Sequence, residues 1–79
     1  MKKNVMPLHL IPCGKSAKVT ELTSYGNSRR RMLDLGLIID TIVESLRKSP
    51  SGDPIAYEIR GAVIALRSEE ASRIIVELI

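Results

Sequence analysis

Three groupings in the sequence carry residue types with chemical potential: the pair His9 and Cys13, the run Arg29-Arg30-Arg31, and the acids Glu69-Glu70. His9 and Cys13 stand four apart, a spacing that puts two side chains on one face of a helix, so a metal pair can be drawn. A closed metal site needs about four ligands, and this chain has a single His and a single Cys. The reading is therefore of no metal site and no cofactor. Glu69 and Glu70 follow Ser68 at the start of a helical turn, where the macrodipole favours acids. The sequence has no phosphate-binding glycine loop, no dinucleotide fingerprint and no nucleophile elbow. With no identifiable catalytic machinery, the expectation is a protein that is not an enzyme.

The arginine run is the more informative grouping. A cation in the first turn of a helix opposes the macrodipole and costs about a few tenths of a kcal/mol. Asp34 follows Arg30 by four residues and Arg31 by three, a helical spacing, but acid after base is the weaker order. Two readings stand side by side: an acidic or anionic partner docks on this face, or long arginine stems simply cover apolar surface at a solvated helix end. Just beyond the run, Gly36-Leu37-Ile38-Ile39 is four consecutive non-polar residues. Beside the arginines, such residues left exposed make an apolar anchor with a basic rim, as partner surfaces are commonly built. The candidate partner-binding residues are Arg29, Arg30, Arg31, Leu37, Ile38 and Ile39.

The elements that must position these residues follow from punctuation and periodicity. Ala17 to Thr23 reads as a strand of mixed pattern. Asn27 or Ser28 is the expected N-cap of a helix of about two turns over Arg29 to Leu35. Gly36 is its left-handed stop, with Leu37 folding back on Met32. Thr41 to Arg47 is β-branched, and a bulge would turn Val43 and Leu46 to the same side. Ser49 to Pro54 is a loop, and Pro54 holds Asp53 extended. Ile55, Tyr57 and Ile59 alternate with Ala56, Glu58 and Arg60 as the cleanest strand signal. Gly61 then breaks the chain at a tight hairpin or bulge before Val63 to Arg67. Ser68-Glu69-Glu70-Ala71 opens one helical turn, and Ile74 to Leu78 is the last strand. The expectation is a mainly β fold: a small, strongly curved antiparallel barrel of about five strands, with one inserted helix and a short helical turn before the last strand. Closure into a barrel removes exposed edges.

Composition narrows the function classes. Residues 1–79 form one domain at most. Ten Ile, nine Leu and five Val face only two aromatic residues, Tyr25 and Tyr57, so the core is thin and aliphatic. Two separated tyrosines make a poor platform for stacking bases, and no aromatic-lined groove for polyproline is available. The net charge of +3 is a weak argument for nucleic acid. A lone cysteine fits a reducing cytosol. The Met1-Lys2-Lys3 start imitates a signal peptide, but Pro7 and His9 break its apolar stretch and Pro12 precedes Cys13 where a small residue is required. No stretch of 18 apolar residues is present to span a membrane.

The order of pieces resembles a specific family. Pro12-Cys13-Gly14, then Arg29 to Leu37 ending in Leu35-Gly36-Leu37, then Ser51-Gly52-Asp53-Pro54-Ile55, then Arg60-Gly61 with Ile64-Ala65-Leu66-Arg67 and Glu70-Ala71, is similar to the ferrous iron transport protein A family, FeoA, over about Leu8 to Leu78. The resemblance implies an SH3-like barrel and a cytosolic accessory of bacterial ferrous iron uptake. It also implies a partner, the cytosolic side of the FeoB-type membrane transporter, which would hold the chain at the periphery of the inner membrane. No small-molecule substrate is expected, and the membrane is met only through the partner; weak self-association is compatible with the reading. A small-barrel nucleic-acid binder using the same arginines on phosphates is one alternative; similar domains end metal-dependent repressors, so a metal-sensing regulatory domain is the other. Two positions depart from the family pattern. Ile38-Ile39-Asp40 replaces a proline-glycine type of turn, and Cys13 is unusual in its turn.

Overall fold

The structure, a computed structural model, describes residues 4–79, so the Met1-Lys2-Lys3 start lies outside the described residues. Six strands form in chain order: β1 (Val5–Pro7), β2 (Ser16–Leu22), β3 (Ile42–Lys48), β4 (Ile55–Ile59), β5 (Ala62–Leu66) and β6 (Ile74–Leu78). A 3₁₀ turn, Leu8–Leu10, follows β1; helix α1 (Gly26–Asp34) lies between β2 and β3, and helix α2 (Ser68–Ala71) precedes β6. All strand pairs are antiparallel, in the order β1-β6-β2-β3-β4-β5. The architecture is the mainly β, SH3-like one expected, with one strand more than the five read from sequence. The added strand, β1, is only three residues long, too short for alternation to announce it.

Two irregularities curve the sheet and decide which residues face inward. Between Val19 and Glu21 the register of β2 against β6 shifts. That extra residue changes the facing parity, so Ala17, Val19 and Leu22 are all buried although strict alternation would turn Leu22 outward. The bulge anticipated in β3 falls between Ser45 and Arg47. Val43 and Ser45 are buried and Leu46 is half-buried. In β4 the alternation holds: Ile55, Tyr57 and Ile59 enter the core. The β4–β5 hairpin pairs Ile59 with Ala62 across two residues, Arg60 and Gly61, both at positive φ. That is a type I′ turn, whose twist matches the strands it joins.

Helix α1 begins earlier than its sequence suggested. Its N-cap is Tyr25, which makes no side-chain capping bond, and neither Asn27 nor Ser28 caps it. Its end is as expected. The Gly36 N–H donates to the Leu33 carbonyl and the Leu37 N–H to the Met32 carbonyl, each at 3.0 Å. This paired closure is a Schellman motif, with Gly36 at φ +94°. A Cβ at Gly36 would lie 3.1 Å from Arg60 Cδ, so glycine also lets the hairpin arginine pack over the helix end. Met32 and Leu37 both join the core, which gathers around Tyr57, Leu8, Ile11, Ile74 and Val76.

Candidate partner-binding surface

The three arginines of α1 face three different environments. Arg29 donates from Nη1 to the Leu22 carbonyl at 3.0 Å, tying the first turn of the helix to the end of β2. This bond offsets the unfavourable place of a cation near a helix N-terminus. Arg31 is ion-paired with Glu70 Oε2. Glu70 Oε1 meanwhile accepts from the Arg67 N–H at 3.2 Å, so one carboxylate caps α2 and anchors α1. Arg30 is exposed and has no ion pair among the described residues. All three arginines of the basic face are exposed; Arg29 and Arg31 each have a partner within the fold, and Arg30 has no ion pair among the described residues.

The apolar half divides as well. Leu37 is fully buried and belongs to the core, so it leaves the partner-binding set. Its place as the residue after the glycine stop requires this, because its side chain covers the last turn. Ile38 and Ile39 are exposed, at 42% and 61%, and exposed Leu33 lies in α1 and exposed Ile42 at the start of β3. The turn that presents them is well determined. The Thr41 N–H donates to the Ile38 carbonyl, Asp40 takes φ 76°, the Asp40 N–H donates to the Val19 carbonyl, and Thr41 Oγ1 donates to the Gly36 carbonyl. A left-handed third residue is what a type II turn requires, with Ile39 and Asp40 standing where proline and glycine are favoured. Ile38-Ile39-Asp40 therefore forms a tight turn that leaves Ile39 exposed.

A polar cleft of about 590 Å³ is lined by Ser28, Arg31, Asp53, Arg67, Glu69 and Glu70. Asp53 Oδ1 accepts from the Ser68 N–H at 2.7 Å, and Asp53 Oδ2 lies 3.8 Å from Arg67 Nη1. Sequence reasoning noted the Gly-Asp-Pro loop without a role for its carboxylate. The structure shows Asp53 capping α2 from 15 residues away. Arg31 pairs with Glu70 and Arg67 lies beside Asp53, while the Glu69 carboxylate has no ion pair among the described residues.

His9 and Cys13 do not share a helical face. The 3₁₀ turn ends at Leu10, and Ile11 is extended. Cys13 is a free, exposed thiol, while His9 Nδ1 is buried without a partner. Among the described residues no three His, Cys, Asp or Glu side chains gather as metal ligands, and no helix is long and apolar enough to cross a membrane. Burial raises the Tyr57 phenol well above its ordinary range, and negative charge at Cys13 and Asp53 adds to the effect.

This architecture defines a class: a small SH3-like β-domain with a polar cleft lined by ion-paired residues and an aliphatic turn left exposed. The FeoA domain matches residues 6–78, and the chain belongs to the FeoA family, whose role lies in ferrous iron transport. A relative from Porphyromonas gingivalis, an Fe(2+) transport protein A/Fe(2+) transporter FeoB fusion protein, is 31% identical over 94% of this chain. The match spans only 9% of that protein's length. The solution structure of a FeoA protein from Chlorobium tepidum is similar at 35% identity and TM-score 0.87, covering 94% of this chain and 70% of that one. FeoA from Stenotrophomonas maltophilia, crystallised with zinc and described as a procaryotic SH3-domain protein, is 31% identical with TM-score 0.76, covering 90% of this chain and 88% of that one.

Proposed function

We propose that this chain is a non-enzymatic accessory protein of ferrous iron uptake that docks on the cytosolic side of a FeoB-type transporter. Ile38 and Ile39 serve as the apolar anchor and Arg30 as the basic rim. The observation that carries this reading is the fusion in Porphyromonas gingivalis, where a segment similar to nearly the whole of this chain is part of one polypeptide with the transporter. Covalent linkage of two partners raises their effective concentration and favours their interaction. The chain acts by binding one conformation of the transporter better than another, shifting its equilibrium by that difference in affinity, and holds no iron itself.

Binding of the full chain to the transporter's purified cytosolic region tests the proposal. A central aliphatic anchor truncated or made polar loses about 2 kcal/mol or more, roughly a thirtyfold weaker complex. Ile39→Asp is expected to show this loss, and Arg30→Glu a smaller, salt-dependent one. Unchanged binding after reversal of both Arg30 and Arg31 removes the arginine face from the proposal; unchanged binding in Ile39→Asp removes the isoleucine anchor.

A further inference from the structure

The β3–β4 loop, residues 49–54, borders two clefts of different chemistry. Its one acid, Asp53, turns to the cleft beside α2, where it accepts from Ser68. Pro50 and Pro54 of the same loop instead line a second pocket, of about 290 Å³, together with Ala56 of β4 and Ala65 of β5, the last strand of the sheet. Ala56 and Ala65 stand directly opposite each other, in register with Arg47 of β3. Alanine is depleted in strands, and an alanine pair is the reference against which larger cross-strand pairs gain stability. Here the two small side chains leave a hollow in the outer face, beside the larger pair Glu58 and Val63. The loop beside the hollow is fixed by its own bonds: the Ser49 N–H donates to the Pro54 carbonyl at 3.1 Å and the Gly52 N–H to the Ser49 carbonyl at 2.8 Å. Its two prolines restrict it further, so the pocket is formed before anything binds.

The charges around this pocket are of one sign. Arg47 and Lys48 both line it, and no acid does. Each is exposed and has no ion pair among the described residues. In the cleft beside α2, by contrast, Arg31 and Arg67 have Glu70 and Asp53 as partners. Glu58 lies two residues along β4 from Ala56, on the same outer face, and its cross-strand partner in β3 is Glu44. The outer face is thus cationic at the loop end of the hollow and acidic at the other end.

We infer that this pocket takes an aliphatic side chain from an acidic segment of a partner protein, with the neighbouring carboxylates set against Arg47 and Lys48. The alanines and prolines supply an apolar seat for the side chain. Arg47 can hold a carboxylate through two N–H donors, and Lys48 adds a compact positive charge. Glu58 and Glu44 repel acids at the far end, so the charges also orient the segment. The volume falls just below the range of roughly 300–1,000 Å³ typical of pockets that enclose a whole small ligand. It suits one side chain of a longer chain lying across the sheet. The pocket is at the end of β3 remote from Ile38 and Ile39, which precede the start of that strand, so the inference does not rest on that surface.

The test is an NMR titration of the full chain with the blocked peptide acetyl-Gly-Leu-Asp-Asp-Gly-amide. The expected result is saturable binding with a Kd of about 1 mM, weakened by salt, with the largest shifts at the amides of Arg47, Lys48, Ser49, Ala56 and Ala65. Replacing the peptide's leucine by glycine, or its aspartates by lysines, is expected to weaken binding at least tenfold. Ala65→Leu fills the hollow from an exposed position and is expected to do the same, with an unchanged circular dichroism spectrum. Arg47→Glu is expected to weaken the acidic peptide severalfold and to strengthen the lysine peptide. Absence of saturable binding overturns the inference, as do shifts centred on another surface. Equal binding of the glycine peptide overturns it by reducing the pocket to a general attraction for anions. Binding of 4-methylpentanoate, a free acid with a leucine-like body, as tightly as the peptide also overturns it, by making the pocket a small-ligand site.

Discussion

Arg29, Arg30 and Arg31 are consecutive and identical, yet one ties α1 to β2, one faces solvent and one is held by α2. No property of an arginine in sequence separates them; the helical rotation of about 100° per residue does, by turning each toward a different neighbour. Tyr57 shows a residue set by its surroundings in another way. It is the one aromatic side chain of the core, and its hydroxyl is buried without a hydrogen-bond partner. In the unfolded chain a tyrosine ionises near pH 10, roughly, whereas burial holds the folded phenol neutral to higher pH. Above about pH 10 the unfolded state therefore binds fewer protons, and stability falls as pH rises; below that pH the contribution is fully present. Denaturant unfolding of Tyr57→Phe should be neutral or stabilising at pH 7, because a buried hydroxyl without a partner costs about 1–3 kcal/mol. The variant should also lose less stability than the native chain between pH 9 and 11. Parallel pH curves for the two proteins would refute this assignment.

At the scale of elements, α2 is a single turn and cannot persist alone. It is held at its start by Asp53 from the β3–β4 loop, and Glu70 links it to α1 through Arg31. The two attachments differ in strength. Asp53 accepts hydrogen bonds from the Ser68 backbone and hydroxyl and lies beside Arg67, so Asp53→Ala should cost about 1–2 kcal/mol, in the range of a lost helix cap. The Arg31 side chain is half exposed, and Arg31→Ala should cost under about 1 kcal/mol. Thermal unfolding measures both; an Arg31 variant less stable than the Asp53 variant would show that the ion pair, and not the cap, holds α2. The sequence made α2 legible through Ser68-Glu69-Glu70, and the end of α1 through Gly36-Leu37. It misplaced the start of α1, because Asn27 and Ser28 look like caps and Tyr25 does not. Extended backbone at Tyr25 and the Arg29 bond to Leu22 settle where that helix begins.

For the whole molecule, the core is a single cluster drawing on β2 to β6, on both helices and on the 3₁₀ turn through Leu8, with partly buried Met6 of β1 packed against it. A core this small and shared leaves no part able to unfold by itself at equilibrium. Unfolding should be one cooperative transition, with the same midpoint by far-UV circular dichroism and by tyrosine fluorescence. Leu37→Ala, at a fully buried position, should lower the stability of the whole chain by about 2–5 kcal/mol. Two separated transitions would contradict the single shared core.

What the sequence determined by itself is whatever depends on near neighbours. The alternation of β4, the glycine end of α1, the hairpin at Gly61 and the aliphatic character of the core all follow from side-chain periodicity and backbone sterics over a few residues. Tertiary structure decided whatever depends on residues far apart. The bulge in β2 turned Leu22 inward, Glu70 and the Leu22 carbonyl gave two of the exposed arginines partners within the fold, and packing took Leu37 into the core. It also left Ile38, Ile39 and the β5 edge uncovered. Exposure is a property of the assembled sheet, because only the full set of neighbours determines which side chains and backbone groups are left facing water.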